Sequence, residues 1–316
     1  MNKPGITENK ILRHKLKKIY SSGLYLPLLV LVITLALTYQ VWLHAQRDAE
    51  QALRTQFDFS VRDTLDDIQI RMKTYEQVMR GVDGLFSHAA TVERNEFRDY
   101  VAQLQLKENY PGIQGIRFVQ LVSSRNKSDF VASVRNEGLT DYNIHPASQR
   151  DHYAPVLYIE PFDVRNQRVF GYDMLSSREQ DTPSDGTKEQ NLSAMEQARD
   201  TGKATLSGRI YLLFETAKDT QAGFLMFLPV YKFGAPHETV AERRTNITGW
   251  ICSVFRMGDL MGGVLGHHSD KVSIEIHDGD QISSNSLMYE SDFGSHLKKN
   301  LNASYQTSSH VFDCRT

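Results

Sequence analysis

Among the residues able to do chemistry, one carboxylate stands apart. In NQRVFGYDMLSS, residues 166 to 177, Asp173 lies among Val169, Phe170, Tyr172, Met174 and Leu175. If that apolar run is buried the acid needs a partner, because an unpaired buried carboxylate costs several kcal/mol or gives up its charge. Two arrangements satisfy it. In an apolar pocket it supplies an acceptor pair to adjacent N–H groups of a ligand, fixing the orientation and rejecting molecules without the donors. At a strand end it caps the turn at Met174 to Ser177 by accepting backbone N–H groups.

Catalytic constellations are missing. The sequence holds no HExxH, no GxSxG, no GxxxxGK[ST] and no nucleotide-binding glycine loop. His267, His268 and His277 have no acidic or cysteine neighbours at a ligand spacing and read as surface histidines. Two cysteines, Cys252 in an apolar run and Cys314 near the end, exclude a disulfide framework and a cysteine-based zinc site. No cofactor or metal is called for, and these residues are expected to be no enzyme. A periplasmic hydrolase lacks its nucleophile motif. A net charge of −2 gives no reason to expect nucleic acid.

The elements that must position Asp173 begin at a membrane. Gly23 to Leu43, GLYLPLLVLVITLALTYQVWL, carries no formal charge over the length a helix needs to cross a bilayer, with Tyr25, Tyr39 and Trp42 near its ends. Lys3, Lys10, Arg13, Lys15, Lys17 and Lys18 precede it against the single acid Glu8, which sets the N-terminus in the cytoplasm and the rest outside it. A cleaved signal peptide competes, but the apolar run is too long and LHAQ is a poor cleavage site. Val61, Leu65, Ile68, Met72, Tyr75, Met79, Val82 and Phe86 then recur at steps of four and three. This heptad stripe fits either a helix packed on its own domain or, as preferred here, the seam of a parallel homodimer.

A second helix is expected from Val92 to Leu106, after which Tyr110-Pro111-Gly112 breaks the chain. Short β-rich runs follow: IQGIRFVQLV, APVLYIEPF, RVFGYDM, ATLSGRIYLLF, GFLMFLPVY and GWICSVFRM, with one helix in NLSAMEQARDTGK. The loop from Ser176 to Gln190 is polar and rich in turn formers. VSIEIHD is a further candidate strand. The fold class is therefore α+β: a transmembrane and stalk helix followed by a PAS-like, largely antiparallel sheet.

Taken in order, YPGIQGIRFV, VRNEGLTDYNIHP, RDHYAPVLYIEP, VFGYDM, ARDTGKATLSGRIYLLFE, GFLMFLPVY and GWICSVFRMGDLM resemble a CHASE domain, the extracytoplasmic sensor module of plant cytokinin receptors and of many bacterial histidine kinases and diguanylate cyclases. The resemblance implies two PAS-like subdomains after a stalk helix, with a small molecule bound in the membrane-distal one. It matches Asp173 to the aspartate that hydrogen-bonds the adenine ring in cytokinin-binding members, and Leu206 to a pocket wall. Thr216, Tyr231 and Gly249 fall at or next to pocket positions by the same motifs. The loop after YDM is longer here than in cytokinin receptors. The family's second transmembrane helix and output module do not follow in this sequence, so a truncated receptor or a partner bearing a histidine kinase or diguanylate cyclase output is implied.

The expected organisation is a cytoplasmic basic segment over 1–22, a transmembrane helix over 23–43, a stalk over 44–85, the sensor over 86–265 and a membrane-proximal tail over 266–316. The expected function is a membrane-anchored, dimeric sensor of a small, adenine-like ligand. The alternative is a ligand-free dimerisation or protein-docking module.

Overall fold

The computed structural model describes residues 7–89, 91–176, 187–211, 221–266, 273–279 and 282–291, with the backbone alone at 7–24, 187–190 and 211. Thr216, Cys314, His267, His268 and most of the Ser176 to Gln190 loop lie outside the described residues. The chain divides into two compact units, Met1–Phe59 and Ser60–Thr316.

The first unit is helical. Helix α1 is assigned from Thr7–His88, and its apolar stretch leaves Leu28, Leu31, Ile33 and Leu37 about half or more exposed. Such a surface suits lipid and not water, and this is the one helix among the described residues long and apolar enough to cross a membrane.

The second unit holds the end of α1, then α2 (Arg94–Leu104), α3 (Leu106–Asn109), β1 (Ile113–Gln120), β2 (Val122–Ser123), α4 (Lys127–Asn136), β3 (His152–Tyr153), β4 (Val156–Glu160) and α5 (Val164–Gln167). It continues through α6 (Thr187–Thr201), β5 (Thr205–Leu206), β6 (Ile210–Tyr211), β7 (Ala222–Tyr231), α7 (Val240–Asn246), β8 (Ile247–Arg256), α8 (Met257–Leu265), β9 (Glu275–His277) and β10 (Leu287–Glu290). One six-stranded antiparallel sheet runs β4-β1-β8-β7-β5, with β6 also on β7. Beside it the described residues hold two two-stranded sheets, β2–β3 and β9–β10, and no second large sheet of the kind the resemblance implied. VSIEIHD supplies β9.

The sheet is buried on both faces, so its central strands read as near-continuous apolar runs. One face packs on α1. Ile68, Met72, Tyr75, Met79 and Val82 share a core with Ile116, Phe118, Ile251 and Phe255, and Tyr75 and Met79 are 0 % exposed. Tyr75 packs at a tilt against Phe255 with ring centroids 5.2 Å apart and donates its hydroxyl proton to the carbonyl of Pro111. Arg71 Nη2 donates to the carbonyl of Gly263 at 3.2 Å. The heptad stripe from Ile68 to Val82 therefore packs on its own domain, which corrects the expectation of a dimer seam at those positions. The same spacing serves either partner, and the intramolecular sheet, at high effective concentration, takes the stripe.

The other face carries Val119, Val156, Ile159, Leu225, Phe227, Trp250, Cys252 and Val254, and Ala194, Met195 and Ala198 of α6 close it. Three strands tie α6 down through side chains. Thr205 Oγ1 donates to Ala194 O at 2.6 Å, Trp250 Nε1 to Met195 O at 2.9 Å and the Tyr231 hydroxyl to Arg199 O at 2.7 Å. Helices α4, α7 and α8 and the single-turn helices α3 and α5 were not anticipated. In RVFGYDM the expected strand is replaced by a series of turns and isolated bridges: α5, capped by Asp163, ends at Gln167 just before it, and Gly171 adopts φ +79 within it.

Candidate functional site

Asp173 is held by the turns that follow α5. Its backbone bridges Pro155, and Met174 N donates to Ala154 O at 2.8 Å, so the YDM segment runs beside the N-terminal end of β4. Tyr172, Met174 and Leu175 thereby pack onto the α6-facing layer. The Asp173 side chain is 0 % exposed. Its Oδ1 accepts from Ala154 N at 2.7 Å and from Leu175 N at 3.1 Å. The turn-capping arrangement weighed from the sequence thus accounts for this oxygen. Oδ2 lies 3.9 Å from Arg150 Nε and makes no hydrogen bond. Arg150 is held in turn by Ser148 Oγ at 3.0 Å and by the carbonyl of Leu175. Burial pushes the Asp173 carboxyl above its usual range, against the lowering by the two backbone N–H groups and Arg150.

The other expected positions do not converge on Asp173. Leu206 lies on β5 at the opposite edge of the sheet, four strand steps from β4 or about 19 Å at ~4.8 Å per step. Its side chain packs on the α1-facing core, while its neighbour Thr205 faces α6. Tyr231 ends β7 at the C-terminus of α6, where its ring stacks on His237 at 5.1 Å. It lines a cleft of about 310 Å³ with Arg80, Asp83, His237 and Arg243. Burial raises the Asp83 carboxyl there to about 6, against the opposing pull of Arg80 and His237. At Gly249 any side chain would run into the carbonyl of Val119, so the residue permits close approach of β1.

One buried polar group was not singled out from the sequence. Arg117, in IQGIRFVQ of β1, pairs with Ile159 on β4 and Cys252 on β8, both members of the α6-facing layer. It is 4 % exposed, its Nε has no hydrogen-bond partner, and it forms no ion pair among the described residues. Burial pulls its guanidinium below its usual range and pushes the neighbouring Cys252 thiol up to about 12. The only signal in the sequence was a single cation at an inward position of an otherwise apolar strand.

An antiparallel α+β domain following a membrane-length helix, with both faces of its sheet covered by helices, defines the class of this protein. The chain belongs to the CHASE domain family, whose model matches residues 90–289, and it therefore carries a sensor domain. That range takes in the β9–β10 hairpin almost to its end. No curated protein matches the chain. Among solved structures, the chain is similar to the ligand-binding domain of the Pseudomonas aeruginosa PAO1 amino-acid chemoreceptor PctC in complex with GABA. The two share 10% identity over 73% of each chain, with a TM-score of 0.37.

Proposed function

We propose that this protein is a membrane-anchored sensor, with its N-terminus in the cytoplasm and its CHASE domain outside, that binds a small molecule in the layer between the sheet and α6. The single observation that carries this reading is the use of one sheet by two partners. The part of α1 from Ile68 to Val82 packs on one face, and the other face contains buried polar groups with atoms lacking hydrogen-bond partners. A ligand that reorders the α6-facing layer acts on strands that α1 also touches, so occupancy has a direct physical route to the anchor. Two copies associate along α1 ahead of Ile68, where Val61 and Leu65 are only half-buried. A kinase or cyclase output module is the partner this arrangement suits.

Asp173 serves in two capacities: Oδ1 holds the YDM turn against the layer, and Oδ2 is the acceptor offered to a donor-bearing ligand such as an adenine-like ring. Calorimetry of the full chain in detergent against a purine panel and a panel of small metabolites tests the reading. Binding of one compound with a single site per chain is expected. Failure of every compound to bind would leave the ligand-free docking module as the better account.

A further inference from the structure

Arg117 and Asn166 share the layer closed by α6. Gly115, Arg117 and Val119 alternate onto one face of β1, and their β8 partners Val254, Cys252 and Trp250 all belong to that layer. Asn166 of α5 lies over Gly115, where an added Cβ would come within 3.0 Å of its Nδ2. Asn166 is 1 % exposed, and its Nδ2 donates to Pro161 O at 2.8 Å and to Gln114 O at 3.3 Å. Its Oδ1 is buried with no partner. Buried polar atoms are nearly always paired, and Gly115, over which Asn166 lies, and Arg117 are two residues or about 7 Å apart along one strand face, so the two orphans call for a common explanation. The other buried arginine of the sheet, Arg256, shows the usual solution, with Asp259 Oδ2 3.0 Å from its Nη1.

We propose that Arg117 is the anchor of the ligand site and that the ligand is a small monocarboxylate, whose hydroxyl group donates to Asn166 Oδ1. The guanidinium presents a planar fork of donors that matches a carboxylate in two parallel hydrogen bonds. Its single charge is neutralised by a single negative charge, whereas a dianion such as phosphate leaves net charge buried among Ile159, Cys252 and Phe227. The inference rests on the sensor reading above and names the chemistry of its ligand.

The test is thermal melting and calorimetry of the full chain in detergent with acetate, propionate and butyrate, their 2-hydroxy and 2-amino forms, the matching primary amides and inorganic phosphate. At least one carboxylate is expected to raise the melting temperature, and its amide is not. Arg117→Met is expected to weaken that binding by about 10- to 150-fold, as loss of charge-assisted hydrogen bonds does. Without ligand the same variant is expected to melt no lower than wild type, because it removes a buried charge that has no partner. Asn166→Ala is expected to weaken the hydroxy form more than the plain acid, and the amino form, which leaves a net positive charge buried, is expected to bind no better than the plain acid. The proposal is overturned if no carboxylate shifts the melting, if only phosphate does, or if Arg117→Met binds as wild type. It is also overturned if Arg117→Met melts well below wild type without ligand, since the arginine is then structural. A purine or other neutral compound that binds Arg117→Met normally leaves the sensor reading standing while the carboxylate falls. Failure of every compound defeats both.

Discussion

Met79→Ala is the sharpest probe of how the stalk part of α1 is joined to the sensor sheet. Met79 is 0 % exposed in the core that α1 shares with Ile251 and Phe255. Truncation removes Cγ, Sδ and Cε, at a transfer cost of about 2 kcal/mol. A residual cavity on the order of 70 Å³ adds about 1.7 kcal/mol at ~24 cal/mol per Å³. The total of about 3–4 kcal/mol corresponds to a fall in melting temperature of roughly 10 °C for a domain of this size. Differential scanning calorimetry of the full chain in detergent, over a hundredfold range of protein concentration, reads it. Because Met79 is buried within one chain, the fall is expected to be the same at every concentration. Cysteine pairs check the same point: Tyr75→Cys is expected to give no disulfide-linked dimer under oxidation, while Leu65→Cys gives one. A melting temperature unchanged by Met79→Ala, or a loss that vanishes at high concentration, would refute intramolecular docking of the stripe.

Two further outcomes are expected from the carboxylates. Asp173→Ala strands the buried N–H of Ala154 and that of Leu175, and is expected to cost about 2–4 kcal/mol in urea unfolding, whereas Asp173→Asn keeps an acceptor and costs less. Equal losses for the two variants would show that Oδ1 is not the anchor of this turn. Asp83 has its folded pKa raised to about 6, above an unfolded value of about 3.9. The folded state then binds its proton more tightly, so this contribution to stability is full below about pH 3.9 and is lost as pH rises through about 6. Asp83→Asn is therefore expected to gain on wild type by about 1–2 kcal/mol between pH 4 and pH 7.5. A constant offset across that range would contradict the assignment.

Much of the architecture could be read along the chain because its signals are local. The membrane helix follows from an uncharged apolar run, α6 from its spacing and terminal Gly202, and β1, β4, β7 and β8 from apolar runs bounded by turn formers. RVFGYDM misled because an apolar run does not say how it is bounded. A helix capped by Asp163 ends at Gln167 just ahead of it, and Gly171 at positive φ turns the chain before Asp173. α4 was missed because KSDFVASVRN buries only Val131 and Val134, too narrow a stripe to announce a helix.

The sequence by itself determined the apolar helix of membrane-crossing length, the family and the acidity of the YDM turn, since each is written in consecutive residues. Tertiary structure decided the rest. A heptad stripe is silent on what it faces, and only folding put Ile68 to Val82 against the chain's own sheet. The backbone groups that satisfy Asp173 Oδ1 include one nineteen residues away. Arg117 looked like any strand cation until the register of β1 between β4 and β8 turned it inward, with no ion-pair partner among the described residues. Burial and pairing are properties of what surrounds a side chain, and those neighbours come together only when distant segments pack.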